Sequence, residues 1–293
     1  MKGIGFYIFY AINWLITLLP LRILYLFSDI FYLILYKVAG YRRQVVAINL
    51  RNAFPEKSEA ERRIIERRFY RHLADLFVET LKVTHMSARQ ISKRFRIRDL
   101  SLVHRLYNEG RDIITVCSHY NNWEWLSSLS LALYTKLTVY KPLKNKYFDR
   151  FILKLRTKHG AIASPMHYIL RTLVTYRKKN IRTATGFIAD QTPPPDENAY
   201  WTTFLNQDTG FYRGAEKVAV MFDMAVVYFH IIKVRRGYYE VDIKLITEHA
   251  KAEAPDFITF RTIEMLEEII RDKPEYWLWS HRRWKHKKPV KYD

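Results

Sequence analysis

The apolar pattern begins almost at once and is nearly free of charge from Ile4 to Val38, where only Arg22, Asp29 and Lys37 interrupt it. A helix that crosses a bilayer needs roughly 20 consecutive apolar residues. Ile4 to Leu19 falls short of that before Pro20, and Leu21 to Tyr36 takes the apolar run up again. Either one kinked helix spans a membrane, or two shorter helices lie partly in it; a pair of buried core helices fits the same broken length. Tyr7, Tyr10, Trp14 and Tyr25 are of the aromatic type that settles at a membrane interface. No small-x-small cleavage site follows a short apolar core, which argues against a signal peptide. Lys2 alone precedes the segment, whereas Lys37, Arg42, Arg43 and Arg51 follow it. That imbalance predicts a membrane-associated segment over residues 1–40 and a body over residues 41–293 on the cytoplasmic side.

Beyond it the periodicity changes. Arg42 to Leu50 reads as a basic helical connector, broken at Asn52-Ala53-Phe54-Pro55. Ser58-Glu59-Ala60-Glu61 is a capping box. The helix it opens carries Ile64, Ile65, Phe69, Leu73, Leu76, Phe77 and Leu81 at helical spacing. Its other face bears Arg62, Arg63, Arg67, Arg68 and Arg71, either a solvated face or one that meets lipid headgroups. From Asp112 strands alternate with helices. Strands are predicted at Ile113–Cys117, Leu137–Tyr140, Ala161–Ala163 and Thr185–Ala189. Helices are predicted near Asn122–Leu133, Asn145–His159, Tyr168–Lys178, Tyr212–Phe222 and Asp256–Asp272. Thr192–Asp196 is a Pro-rich loop, and Val226–Ile232 and Tyr239–Ile246 form strands joined at Arg235-Arg236-Gly237. The alternation predicts an α/β fold with a mainly parallel central sheet flanked by helices.

The 293 residues suffice for one large α/β domain, and 49% hydrophobic content supports a sizeable core. The formal charge of +20 favours polyanionic partners: nucleic acid, an anionic membrane, phosphorylated lipids or an acidic carrier protein. The one cysteine, Cys117, falls inside a predicted strand, which argues for a core thiol and against disulfides or a thiolate metal site. No P-loop, dinucleotide fingerprint or kinase set occurs.

Three polar features follow predicted strands: His119 with Glu124, Lys141 with Pro142, and Asp190 with Gln191. Loops at the carboxyl ends of parallel strands converge, so these groups are candidates for one site. If Glu124 rides the first turns of the next helix, its carboxylate can fold back onto the His119 imidazole. A His held by a carboxylate is a competent general base near neutral pH. A structural His near an acid, and a loop-start cap at Asp190, fit the same residues. H-x4-E lacks the spacing of a zinc motif, so no metal site is expected. The tail from Pro274 to Lys285 interleaves Tyr276, Trp277, Trp279 and Trp284 with basic residues. It suits nucleic acid, a membrane interface, or the packing of helix ends onto the core.

Ser118-His119-Tyr120-Asn121-Asn122-Trp123-Glu124-Trp125 resembles the H-x4-[D/E] element of the lysophospholipid acyltransferase superfamily. Within it, the chain resembles the late acyltransferases of lipid A biosynthesis, of lauroyl or myristoyl type. Asn49-Leu50…Ala53-Phe54-Pro55, Val139-Tyr140-Lys141-Pro142-Leu143 and Arg156-Thr157-Lys158-His159-Gly160 match in order. Ala189-Asp190-Gln191, the Pro274…Trp284-Lys285 ending and the N-terminal apolar segment complete the likeness, which covers nearly the whole chain. Lys141-Pro142 departs from the family's frequent Arg-Pro and loses a bidentate fork.

The resemblance implies an inner-membrane enzyme that needs no cofactor. It would move a fatty acyl chain from an acyl carrier protein or coenzyme A thioester to a hydroxyl of a phosphorylated lipid A precursor. It implies His119 as general base, Glu124 as its orienting acid and Arg156 as a further catalytic residue, with Lys141, Asp190 and Gln191 in the substrate site. An acyltransferase for a lysophospholipid or an amino-acid-based lipid would use the same residues. A membrane-anchored nucleic-acid binder would leave the H-x4-E element unexplained.

Overall fold

The computed structural model describes residues 2–131, 133–194 and 199–289. The chain opens with helices α1 (Lys2–Ile16) and α2 (Leu21–Leu33), the second entered through Pro20 and ending in a π-helical turn at Ile34–Val38. Helix α3 (Arg43–Ala53) leads to α4 (Glu59–Lys82), where Ser58 and Glu61 cap each other reciprocally as the sequence predicts. Helix α5 (Ala88–Ser92), strand β1 (Phe95–Ile97) and α6 (Ser101–Asn108) precede β2 (Ile113–Cys117). A 3₁₀ turn at Trp123–Ser128, β3 (Thr135–Tyr140), α7 (Lys146–Thr157), β4 (Ile162–Pro165), α8 (Ile169–Lys178) and β5 (Thr183–Ile188) follow. A hairpin of β6 (Tyr200–Phe204) and β7 (Gln207–Phe211), helix α9 (Gly214–Phe222), strands β8 (Ala225–Arg235) and β9 (Tyr238–Thr247), and α10 (Phe257–Asp272) complete the order.

The main sheet runs β1-β9-β8-β2-β5-β3-β4. Every neighbouring pair is parallel except β8 with β9, which form an antiparallel hairpin. Strand β2 lies inside the sheet between β8 and β5 and is buried at all five positions, which is why its sequence is apolar but for Thr115 rather than an alternation. The mainly parallel, helix-flanked sheet expected from the alternation is what forms.

The N-terminal helices pack on the body as well as facing outward. On α2, the Tyr25 hydroxyl donates to Glu79 of α4 at 2.8 Å and the Ser28 hydroxyl to Asp75 at 2.7 Å. Phe6 of α1 packs its ring at a tilt against Tyr147 and edge to face with Phe148 of α7, and Lys82 closes the α1–α2 turn by donating to the Thr17 and Leu19 carbonyls. Among the described residues no single helix is long and apolar enough to cross a membrane. The pair Leu21–Val38 and Arg43–Ala53 reaches that length only with a bend of 85°.

Elsewhere the structure departs from the sequence expectation in identifiable ways. The helix expected near Asn122–Leu133 is a 3₁₀ turn at Trp123–Ser128 that gives way to extended chain at Leu129 (Ala132 lies outside the described residues). Trp125 is drawn fully into the core, where its indole donates to the Glu79 carbonyl at 3.1 Å, and the Ser127 hydroxyl competes for the Glu124 carbonyl. Strand β1 and the β6–β7 hairpin carry no alternation long enough to announce them. Of the Pro-rich loop, Thr192–Pro194 is irregular and residues 195–196 lie outside the described residues. The arginine face of α4 is partly internal wiring: Arg62 donates to the Phe54 and Lys57 carbonyls, Arg63 pairs with Glu59, and Arg71 lies over the Tyr32 ring.

Ile114, wholly buried in β2, tests the weight of this sheet. Ile114→Ala is expected to lower unfolding free energy by about 2–5 kcal/mol, read as an earlier denaturant midpoint at unchanged slope.

Candidate active site

The site follows from strand register. Strands β2 and β5 are parallel neighbours paired from Ile113↔Ala184 to Cys117↔Ile188. Residues two beyond each strand end therefore come side by side at the carboxyl edge, and these are His119 and Asp190. The His119 Nδ1 lies 2.6 Å from Asp190 Oδ1, and the His119 backbone N–H donates to Asp190 Oδ2 at 2.9 Å. The Trp277 indole donates to the same Oδ2 at 2.8 Å. Burial works to raise the Asp190 carboxyl, but the His119 charge and its side-chain hydrogen bond, the Trp277 indole and the His119 backbone N–H together hold it below the ordinary carboxylate range. An ionised acceptor on Nδ1 favours, in the neutral ring, the tautomer with the proton on that nitrogen. Nε2 meets the Gln191 side-chain amide at 3.0 Å.

The expected His119–Glu124 pairing gives way to a different arrangement. Glu124 is bound by Arg156 of α7 through two bonds, Nε to Oε2 at 3.0 Å and Nη2 to Oε1 at 2.7 Å. Such a two-pronged fork fixes both groups. Trp123 also donates its indole N–H to Glu124 at 3.2 Å and sets its ring edge-on to His119, centroids 5.1 Å apart. Burial opposes the Arg156 charge, but Glu124 outweighs it and holds the guanidinium above its usual value. Arg156 was reachable from the motif only by its place before Gly160. The fold brings it to the site because α7 packs its buried face, Phe151 and Leu155, against the body and leaves Arg156 beside the 3₁₀ turn.

These groups share a cavity of about 490 Å³. His119, Glu124, Arg156, Gln191 and Lys141 line it together, while Asp190 stands behind His119. Its long wall is one face of the sheet: alternate residues Thr115 and Cys117 of β2, Ala184, Gly186 and Ile188 of β5, and Phe229 of β8. The cavity is thus polar at the strand ends and largely apolar below. Lys136 sits in its wall, where burial lowers its ammonium to about 8 and the Ser127, Leu129 and His159 carbonyls accept its hydrogen bonds. Nothing in its sequence neighbourhood marks that lysine. Among the described residues no group of three metal-ligating side chains comes together.

The aromatic tail resolves into packing. Trp277 and Trp279 are buried and meet edge to face, and the Leu278 N–H donates to the His119 carbonyl at 3.1 Å. Asn121, at φ +52°, turns the chain back so that its N–H reaches the Tyr276 carbonyl at 3.0 Å. Asn tolerates this left-handed geometry better than most residues. Trp277 is a site residue that the sequence marked only as one aromatic among several.

A pH titration tests the Asp190 geometry. Because its folded-state carboxyl is held below the usual value of 3.8, the stabilisation it contributes is present above that pH and is lost as pH falls through the lower folded value. The stability gap between wild type and Asp190→Asn is expected to be full near neutrality and to narrow below 3.8 in acid-unfolding curves.

A search of curated proteins finds no match to the chain. The family model for bacterial lipid A biosynthesis acyltransferases matches residues 2–286, nearly its whole length. On that match, the chain belongs to the bacterial lipid A biosynthesis acyltransferase family.

Proposed function

We propose that this acyltransferase moves a fatty acyl chain from an acyl carrier protein or coenzyme A thioester to a hydroxyl of a phosphorylated lipid A precursor, as a late, lauroyl- or myristoyl-type enzyme. The observation that carries the mechanism is the His119 ring, pinned at Nδ1 by Asp190, with Nε2 held by the Gln191 amide on the wall of the cavity. The acceptor hydroxyl displaces the Gln191 amide from Nε2 and gives up its proton there as its oxygen attacks the thioester carbonyl. Asp190 orients the ring and supports its positive charge, the role the resemblance assigns to Glu124. Glu124 instead holds the Arg156 guanidinium, whose remaining N–H groups are donors for the tetrahedral oxyanion. The His119 backbone N–H is already committed to Asp190, so it is no part of that oxyanion hole. Collapse breaks the carbon–sulfur bond, the thiolate leaves, and the proton on Nε2 passes to the sulfur. Lys141 at the cavity wall meets acceptor or donor phosphate.

The outer faces of α1 and α2 support a seat on the cytoplasmic leaflet of the inner membrane. Ile4, Leu15 and Leu26 are 68%, 61% and 63% exposed, a cost in water that a lipid interface removes. Lipid phosphates, the acceptor and an acidic carrier all suit the +20 charge.

General base catalysis contributes roughly 10²–10⁴-fold. His119→Ala is expected to reduce kcat for transfer by that order while expression and membrane association persist; near-wild-type transfer removes the assignment. Arg156→Ala should be crippled in transfer yet folded. Mass spectrometry of membrane lipids with and without the chain should show one added acyl chain on a lipid A species. An added mass on a phospholipid or aminolipid alone redirects the acceptor.

A further inference from the structure

Glu79, near the end of α4, is 0% exposed and hydrogen-bonded at both carboxylate oxygens. Its Oε1 accepts the Tyr25 hydroxyl at 2.8 Å, and its Oε2 accepts both the Tyr239 hydroxyl at 2.8 Å and the Asn122 Nδ2 at 2.6 Å. These donors come from α2, β9 and the loop after β2. The Glu79 carbonyl takes the Trp125 indole as well. A buried carboxylate is costly where an apolar side chain would pack. Burial pushes the Glu79 carboxyl up to about 7; Lys233 pulls it down, Asp75 pushes it up, and the Tyr25 and Tyr239 hydroxyls pull it down.

What that cost secures is the orientation of Asn122. With Nδ2 on Glu79, its Oδ1 faces the Trp125 backbone N–H at 3.3 Å and caps the 3₁₀ turn. That turn carries Trp123 onto the His119 ring and Glu124 onto Arg156. A flipped Asn122 amide would set N–H against N–H at the cap and leave no acceptor there.

We propose that Glu79 is a positioning residue for acyl transfer: through Asn122 it holds the Trp123–Glu124 turn against His119 and Arg156, so that docking of α4 on the sheet completes the active site. The inference rests on the catalytic reading of His119, Glu124 and Arg156 given above.

The test compares purified full-length variants in acyl transfer, each with its folded fraction measured. A small misplacement at a reacting centre costs roughly 10²-fold. Asn122→Ala and Glu79→Leu are expected to lower kcat by about that order at unchanged KM. Their double variant should lose little more than the worse single. Glu79→Gln should retain most of kcat, because its carbonyl oxygen can serve Tyr239 and Asn122 while its amide donates to the Tyr25 hydroxyl. Tyr25→Phe, which leaves Asn122 untouched, should stay near wild type. If Glu79→Leu does not fold, Asn122→Ala carries the comparison. Near-wild-type kcat for Asn122→Ala, or a Glu79→Gln loss equal to that of Glu79→Leu, or losses that merely track the folded fraction, would overturn the inference. His119→Ala run in parallel separates the two readings: if it too keeps transfer, the catalytic site itself is wrongly drawn.

Discussion

The hydrogen bonding of Asp190 is the constraint on which the site depends. One buried carboxylate gathers the His119 ring, the His119 backbone and the Trp277 indole. Each donor comes from a segment distant in sequence from Asp190, so the three bonds tie the ends of β2 and β5 to the C-terminal tail. A buried carboxylate without such donors would take up a proton. With them it stays ionised, sets the tautomer of His119 and leaves Nε2 facing the cavity. The tail therefore reaches the candidate site through the Trp277–Asp190 and Leu278–His119 bonds.

A second layer of buried polar groups joins the N-terminal helices to the sheet. Asp75 of α4 accepts Ser28 of α2 and a forked Arg236 from the β8–β9 turn, and Arg236 reaches on to Asp29. Glu79, one turn further along α4, collects Tyr25, Tyr239 and Asn122. Asp75 and Glu79 each have several donors, which is the condition under which buried charge is tolerated. The consequence is that α2 and α4 are keyed to the sheet by geometry as well as by apolar contact. An N-terminal segment that behaved as a detached anchor would leave Tyr25 and Ser28 without that geometry.

The two acids of the site have divided their work. Asp190 serves the imidazole and Glu124 serves the guanidinium of Arg156. In the mechanism we propose, separate partners let one group accept a proton while the other presents charge, without either competing for the same carboxylate. The cavity floor runs along one face of the sheet, where strand pleating supplies alternate small and apolar residues such as Gly186 and Phe229. Polar chemistry at the strand ends over an apolar trough suits a reaction that joins a polar acceptor to a hydrocarbon chain.

Much of this was legible in the chain itself. The β2 run from Ile113 to Cys117, the Ser58–Glu61 capping box and much of the helical spacing along α4 follow from local rules of periodicity and capping, and they appear where those rules put them, although Ile64 and Phe77 of that stripe stay exposed. So does the placing of His119, Lys141 and Asp190 beyond strand ends, because parallel sheets gather such loops at one edge. What local rules do not contain is pairing. Which acid meets His119 depended on the β2–β5 register, and that register is set by the packing of strands 70 residues apart rather than by anything near Glu124. The shortening of the Asn122–Leu133 helix depended on the pull of Trp125 into the core beneath Glu79. Buried hydrogen-bond donors and acceptors must find partners wherever the fold provides them, so the sequence determined which groups would be available at the sheet edge, and only the tertiary structure decided which of them meet.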